Sequence, residues 1–225
     1  MTNIHHMQYF RSLIDQNRTF AGFLLLFMTG LAFPSILISR EHSFLWLNFF
    51  HCKALDDFFI AYTFTGDGLF SIFLALFLFF LNNRLLAFRI LLAFLVSGLI
   101  AQLLKKAVHL PRPMAALGTE TYHHFIEGVT HSGYNSFPSG HTTSAFALAL
   151  LCCLHIRSLG LRLLLFFLAC MAGYSRIYLG QHFLPDVFAG MLIGGSTAII
   201  VYAFVQCPVW LRKNASVPGS GRVPA

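Results

Sequence analysis

Three short motifs of this chain combine cationic side chains, histidines and a carboxylate at fixed spacings. In chain order they are Lys105-x6-Arg112-Pro113, Pro138-Ser139-Gly140-His141 and Ser175-Arg176-x5-His182-x3-Asp186. Such a set can bind the dianion of a phosphate ester and transfer its phosphoryl group. That reaction depends mainly on positioning and on electrostatic stabilisation of the charged oxygens, which these residue types supply.

The cationic residues and the second motif are suited to hold the phosphate. Arg112 and Arg176 can each fork onto phosphate oxygens, and Lys105 adds a point charge. Ser139 is a good helix cap, and Gly140 leaves the backbone N–H groups at the helix start open to an anion. Three fixed cations do what Mg²⁺ does in other phosphoryl-transfer sites, so we expect neither a metal nor a cofactor.

The two histidines differ in their surroundings along the sequence. Asp186 follows His182 by four residues, so the two side chains face each other if a helix begins here. A carboxylate that binds Nδ1–H fixes the tautomer and leaves Nε2 free, which favours His182 as the nucleophile. His141 has no carboxylate at that spacing and is the better general acid, which later activates water.

Composition predicts a protein with several membrane-spanning helices. The chain has 225 residues, of which 57% are hydrophobic and only 10% charged, and its mean hydropathy is +0.71; soluble domains carry roughly 25% charged residues. The net charge of +7 comes from basic residues scattered singly between apolar runs. A nucleic-acid site needs a clustered basic patch, so we expect no nucleic-acid partner.

The apolar runs define the elements that must position the motifs. We expect six spans at 20–38, 58–81, 85–104, 141–156, 163–174 and 187–206. The second is interrupted by Asp67, which either caps a short helix from Gly68 to Leu81 or lies inside a longer one. Segment 40–57 is predicted as an interfacial loop or short helix, and 109–137 as a long polar loop.

With alternating spans, all the motifs meet at one membrane face. The opposite face would hold the N-terminus and nine Lys or Arg residues, against three on the motif side when the three motif cations are left out. The positive-inside rule then places both termini in the cytoplasm and the motifs at the periplasm or cell exterior. We therefore expect a multi-pass protein of the cytoplasmic membrane.

The three motifs resemble the signature of the type 2 phosphatidic acid phosphatase (PAP2) superfamily, in its integral-membrane lipid phosphatase branch. The match covers every signature position over residues 105–186, and the span layout extends it to about 20–206. The resemblance implies an all-α, six-transmembrane-helix bundle of PAP2 type that works without a metal through phosphohistidine. It implies His182 as nucleophile, Asp186 as its partner and His141 as general acid. The implied phosphate ligands are Lys105, Arg112, Ser139, Gly140 and Arg176.

The sequence leaves several functions and segments open. We expect hydrolysis of a lipid phosphate or diphosphate, of the undecaprenyl diphosphate, phosphatidylglycerophosphate or lipid A phosphate type. The alternatives are a lipid phosphotransferase and, remotely, a non-catalytic scaffold, and the oligomeric state is open. We divide the chain into a cytoplasmic segment 1–19, a membrane domain 20–206 and a largely disordered cytoplasmic tail 207–225. A metal site is one interpretation of His123, His124 and His131; a loop that partly covers the site is the other, which we favour.

Overall fold

The computed structural model describes the backbone of residues 2–205 and the side-chain environments of residues 17–205. In that part of the chain every regular element is a helix, which confirms the predicted all-α class. The helices are α1 (Thr2–Leu37), α2 (Arg40–Leu47), α3 (Lys53–Tyr62), α4 (Gly68–Phe80), α5 (Arg84–Val108), α6 (Pro113–Thr121), α7 (Gly140–His155), α8 (Leu159–Tyr178) and α9 (Leu184–Phe204). The predicted tail 207–225 lies outside the described residues.

Several helices of the described chain are candidates for membrane spans. Four are long and apolar enough to cross a bilayer: Asn17–Leu37, Arg84–Val108, Leu159–Tyr178 and Leu184–Phe204. A fifth span results if α3, the following 3₁₀ turn and α4 form one broken span, while the apolar α7 has only 16 residues. A helix of that length rises roughly 24 Å, less than the hydrocarbon thickness of about 30 Å. A count of six therefore remains a prediction.

The second predicted span is broken at Asp67. A 3₁₀ turn over Thr63–Gly66 follows α3, and Asp67 then caps α4 by accepting the backbone N–H of Leu69 at 2.8 Å. The two parts meet at an angle of 56°. The first of the two sequence interpretations, a cap followed by a short helix, is therefore the one that the chain adopts.

Two helices differ from the sequence-based expectation. The fifth predicted span, 163–174, is part of the 20-residue helix α8. The predicted span stops short of Arg162 and Arg176, but both arginines lie inside the helix, where Arg162 donates from Nε to the carbonyl of Ile156 at 2.5 Å. The polar loop 109–137 contains α6, which begins with a proline in its first turn, a favoured position for proline.

The core is built around α7, the most buried helix, and α9 packs closely along it. This approach requires small residues on α9. A Cβ atom placed on Gly190 would lie 2.7 Å from the carbonyl oxygen of Ser139, and one on Gly194 would overlap the backbone of α7 at Thr143. The glycines therefore bring the start of α7, with the second motif, against the start of α9, with the third.

Candidate active site

A polar cavity of about 550 Å³ lies where the ends of α5, α7 and α8 meet the loop before α9. Its lining includes six of the eight side chains predicted to form the site: Lys105, Arg112, Gly140, His141, Arg176 and His182. Ser139 and Asp186 are buried behind this wall, with exposed fractions of 0% and 3%. The motifs, separated by up to 81 residues of sequence, thus converge on one concave surface.

The two arginines are fixed by polar partners that are uncharged. Arg176, in the last turn of α8, donates from Nη1 to Thr63 Oγ1 at 2.6 Å, and its buried Nε has no hydrogen-bond partner among residues 17–205. Arg112 caps α6 and donates to the side-chain carbonyl of Gln181, whose amide donates to the carbonyl of Val129. Both guanidinium groups are therefore oriented without being neutralised.

The cavity carries an excess of positive charge. Within the described residues, no carboxylate oxygen lies within 4.0 Å of a side-chain nitrogen of Lys105, Arg112 or Arg176. Burial lowers the pKa of Arg112, and the more distant Asp186 partly offsets this effect. A buried cation without a counterion is costly, so such a cluster is suited to a multiply charged anion that enters from solution.

The start of α7 forms the floor of the cavity. Ser139 is the N-cap, and its Oγ accepts from Thr142 Oγ1 at 2.8 Å and from the Thr142 backbone N–H at 3.4 Å. Gly140 and His141 occupy the first turn, whose N–H groups have no intrahelical acceptor. A Cβ atom on Gly140 would lie 4.0 Å from Lys105 Nζ, so the helix start and the lysine face the same space.

His182 lies in the wall of the cavity and turns Nδ1 toward Asp186. The distance from Nδ1 to Asp186 Oδ2 is 3.6 Å, which exceeds a hydrogen bond, and Nδ1 has no other partner in the part of the chain whose side chains are described. Asp186 Oδ2 instead accepts from Ser136 Oγ at 2.5 Å and from the backbone N–H of Phe183 at 2.9 Å. The structure thus brings the predicted pair together, with the carboxylate held by two further donors.

Burial makes the His182 imidazole difficult to protonate. It lowers the pKa of His182 from 6.5 to about 4, although the Asp186 carboxylate acts in the opposite direction. The ring is therefore neutral near pH 7 and retains a lone pair.

His141 has a carboxylate neighbour from a distant part of the sequence. Its Nε2 lies 3.8 Å from Asp67 Oδ2, and both side chains are about one-third exposed, at 32% and 39%. The break before α4 creates this pair, because it carries Gly66 against the backbone of His141, with only 3.0 Å between a Cβ built on Gly66 and the carbonyl oxygen. Asp67 therefore belongs to the site as well as to the cap of α4.

Other residues that support the site were missed by sequence reasoning. They are Thr63, Ser136 and Gln181, which hold Arg176, Asp186 and Arg112. Ser136 stands three residues before Ser139, and Gln181 precedes His182, so proximity to a motif was a usable signal for both. Thr63 gave no such signal, because it acts across 113 residues of sequence.

The segment 125–131 of the polar loop covers part of the cavity. Gly128, Val129 and His131 line it, and Thr130 Oγ1 donates to the carbonyl of Leu179 at 3.0 Å. Phe125 packs on Gly180, where a Cβ atom would come within 3.2 Å of its ring. This position agrees with the expectation of a covering loop.

An apolar groove of about 240 Å³ runs between α4, α7 and α8. Tyr62 and Thr65 border it, and Thr63 of the same turn contacts Arg176 at the catalytic cavity. Apart from these two residues and Cys152, the lining is aliphatic or aromatic: Phe70, Leu74, Ala145, Leu148, Ala149, Leu165, Leu168, Ala169 and Ala172. A polar cavity and an apolar groove therefore adjoin.

The comparison with protein families gives one match that covers more than half of the chain. The model of the PAP2 superfamily matches residues 86–210. That range contains all eight predicted site residues.

Several relatives are named as phosphatases of lipid phosphates. The chain is 33% identical to a lipid A 4′-phosphatase of Porphyromonas gingivalis over 174 residues, 74% of this chain and 73% of that protein. It is 32% identical to the undecaprenyl-diphosphatase BcrC of Bacillus subtilis over 110 residues, 48% of this chain and 53% of BcrC. The chain thus spans about half the length of several relatives that it matches, BcrC among them.

Two solved structures share the fold. The crystal structure of LpxE from Aquifex aeolicus superposes with a TM-score of 0.64 at 32% identity, over 72% of this chain and 93% of LpxE. A PAP2-type phosphatidylglycerolphosphate phosphatase from Bacillus subtilis superposes with a TM-score of 0.62 at 23% identity, over 80% of this chain and 93% of that one. At 23% identity, the similarity to the second structure is evidence for the fold alone.

Proposed function

The chain belongs to the PAP2 superfamily, and from this premise we propose that it hydrolyses a membrane lipid phosphate or diphosphate through a phosphohistidine intermediate. The observation that carries the proposal is the cavity itself. Lys105, Arg112 and Arg176 line it together with two histidines, and among the described residues no carboxylate pairs with the three cations. A phosphate group provides the missing negative charge.

In the proposed first step, His182 Nε2 attacks phosphorus, because Nδ1 is turned toward Asp186. The bond between phosphorus and the leaving oxygen breaks, and His141 donates a proton to that oxygen. The cations and the first turn of α7 stabilise the charge on the equatorial oxygens. The 3.6 Å gap between His182 and Asp186 closes when the ring becomes positively charged in the phosphohistidine.

In the second step, water attacks the phosphohistidine. His141 now accepts a proton from that water, the nitrogen–phosphorus bond breaks, and inorganic phosphate leaves with His182 neutral again. Asp67 attracts the imidazolium form of His141 across 3.8 Å in each half-reaction. This cycle requires no metal, since protein cations stand around the phosphate.

The adjoining apolar groove supports a lipid as the substrate. A lipid can place its phosphate in the cavity while a chain lies along α4, α7 and α8. Remote apolar binding of this kind contributes to the reaction rate, and a small soluble ester lacks it. Candidate substrates are undecaprenyl diphosphate, a lipid A phosphate group and phosphatidylglycerophosphate; the first two also appear in the names of the relatives.

The same intermediate allows a second function. If a lipid hydroxyl replaces water in the second step, the protein is a phosphotransferase. Segment 125–131 covers part of the cavity, and a cover that restricts the entry of water favours this candidate. Incubation with labelled donor lipid and an unlabelled acceptor separates the two, because a transferase labels the acceptor and a hydrolase releases phosphate.

Phosphate release by the detergent-purified protein from a panel of lipid phosphates tests the proposal. We expect activity with chelator present, inhibition by vanadate, and loss of several powers of ten in His182→Ala. His141→Ala should be severely impaired, and long-chain lipid phosphates should have higher kcat/KM than soluble esters. Near-normal turnover by His182→Ala would contradict the proposed mechanism. An equal or higher kcat/KM for the soluble ester would contradict the assignment of a lipid substrate.

We also propose that the cavity opens at the outer face of the cytoplasmic membrane, with both termini inside. Single cysteines at the exposed Glu120 and Gly160, in a background without native cysteines, test this orientation. An impermeant thiol reagent on intact cells should label Glu120→Cys and not Gly160→Cys. The reverse pattern would invert the orientation.

A further inference from the structure

A second cluster of titratable side chains lies outside the catalytic cavity. His51 stands in the loop between α2 and α3, Asp56 in the first turn of α3, and His124 just after α6. One potential ligand atom from each residue can be chosen so that all three lie within 4.8 Å of one another. Three segments of the chain therefore meet at this point.

The two separations that involve Asp56 are close to those between the ligands of a small metal ion. His124 Nε2 lies 3.3 Å from Asp56 Oδ2, and His51 Nδ1 lies 3.6 Å from Asp56 Oδ1. Two ligands of a tetrahedral ion with bonds of about 2.0–2.1 Å are separated by roughly 3.3 Å. His124 makes a long hydrogen bond to Asp56, and the separation between His51 and Asp56 exceeds a hydrogen bond. Both separations are suitable for a shared ion.

His51 is the buried member of the cluster and has an unsatisfied nitrogen. Its side chain is only 7% exposed, and Nδ1 has no hydrogen-bond partner in the described part of the protein. A buried polar atom without a partner is costly. Nδ1 faces the carboxylate of Asp56, so a cation between them would satisfy both groups.

Two neighbouring tyrosines contact polar atoms of His51 and Asp56. Tyr122 Oη lies 2.5 Å from His51 Nε2, and Tyr178 donates its hydroxyl to Asp56 Oδ1 at 2.7 Å. If His51 donates its Nε2–H to Tyr122, Nδ1 carries the lone pair that a metal needs. Metal-binding histidines ordinarily have such an outer partner, which fixes the tautomer and the ring orientation.

We propose that His51, Asp56 and His124 bind one Zn²⁺ ion at the side of the catalytic cavity. Two imidazoles and one carboxylate suit zinc, with water or another donor in the fourth position. Ca²⁺ and Mg²⁺ prefer oxygen ligands and are disfavoured by the two nitrogens. The ion lies apart from the three cationic side chains that would bind the phosphate, and it takes no part in phosphoryl transfer.

The position of the ion assigns it a structural role. His124 is immediately followed by segment 125–131, which covers the cavity. The ion would fasten the beginning of that segment to α3 and to the loop before it. Metal binding and folding are coupled when the ligands come from separate segments, so the ion stabilises the folded loop.

Metal binding to the full-length detergent-purified protein tests the proposal. The affinity tag must lack histidine, and the protein is first stripped with chelator and then titrated with ZnCl₂ by calorimetry. We expect one Zn²⁺ per chain and, near saturation, a rise of roughly 5–10 °C in the thermal midpoint. Mg²⁺ and Ca²⁺ should leave the midpoint unchanged; an equal rise with either would contradict a zinc site.

His124→Asn is the informative variant, because its side chain is 43% exposed and its replacement should not prevent folding. We expect at least a tenfold loss of zinc affinity and loss of the thermal shift. His123→Asn, one residue earlier and outside the cluster, is the matched control and should bind like the wild type. Absence of stoichiometric binding by the wild type, or equal binding by the two variants, would overturn the proposal.

The zinc site and the proposed function fail independently. Zinc-free wild-type protein, assayed below its thermal midpoint, should still release phosphate from lipid phosphates. Phosphate release without zinc binding would remove only the metal site. Zinc binding without phosphate release would remove only the proposed function.

Discussion

The buried hydrogen bond from Ser136 to Asp186 offers a sharp test of how the nucleophile is supported. Ser136 is fully buried and does not line the cavity, so Ser136→Ala leaves the phosphate ligands in place. The variant removes one of two donors that hold Asp186 Oδ2 behind His182. We expect kcat to fall while KM stays near the wild-type value.

The size of the effect follows from the type of hydrogen bond. At 2.5 Å, with exposed fractions of 0% and 3%, this is a short bond from a hydroxyl to a buried carboxylate. Hydrogen bonds to charged groups contribute about 1.5–3 kcal/mol. Expressed wholly in the transition state, that loss lowers kcat by roughly 10- to 150-fold. Expressed in folding, it lowers the thermal midpoint by roughly 3–12 °C.

Steady-state phosphate release and thermal unfolding in the same detergent measure both quantities. Ser97→Ala is the matched control, because Ser97 is also fully buried but donates to the carbonyl of Phe94 within its own helix, away from the cavity. We expect the control to lie close to the wild type in kcat. A kcat for Ser136→Ala within threefold of the control, at an unchanged midpoint, would refute the assigned role.

Three further predictions concern charge, pH and packing. Asp67→Asn keeps the helix cap but removes the charge beside His141. Screening of this partly exposed pair limits the expected loss to about 1 kcal/mol, roughly a fivefold fall in kcat. A wild-type kcat together with a lowered thermal midpoint would contradict this role. The pKa of His182 near 4 predicts that kcat/KM is sustained below pH 6.5 and lost as the pH falls through about 4, since the neutral ring is the nucleophile. Two substrates with different phosphate pKa values separate this effect from the substrate's own ionisation near pH 6. A fall in kcat/KM centred near pH 6.5 for both substrates would contradict the prediction. Gly190→Val drives a side chain into the backbone at the start of α7 and should destabilise the fold by about 3 kcal/mol. Gly98→Val should not, because a Cβ atom there meets no atom of the described residues within 4 Å beyond its own helix backbone and chain neighbours.

The sequence was sufficient to predict the all-α class and the convergence of the motifs. Long apolar runs predict helices because few other structures satisfy the backbone in a membrane, and each motif stands at the end of such a run. For Asp67 the sequence allows two structures, a helix cap or a position inside a longer helix, and the chain adopts the cap. The convergence of Lys105, His141 and Arg176 on one cavity then follows from alternating helix direction.

The supporting contacts could not be predicted because they depend on how the helices pack. Thr63 reaches Arg176 only because the chain bends before α4, and Ser136 reaches Asp186 across 50 residues of sequence. The sequence underestimates the length of α8 because Arg162 and Arg176 suggest helix boundaries. In the structure Arg162 binds a backbone carbonyl and Arg176 lines the cavity, so both are accommodated within the helix. The cluster at His51 combines three segments and has no local pattern.

The tight joint between α7 and α9 also determines which walls of the cavity can move during turnover. The backbone N–H of Ser139 donates to the carbonyl of Asp186 at 3.0 Å, and Gly190 leaves no space between the two helices. His141 and His182 are therefore carried by one rigid body. We expect opening and closing to be confined to α5 and segment 125–131, so that substitutions in that segment change the rate of product release and leave the chemical step unaltered.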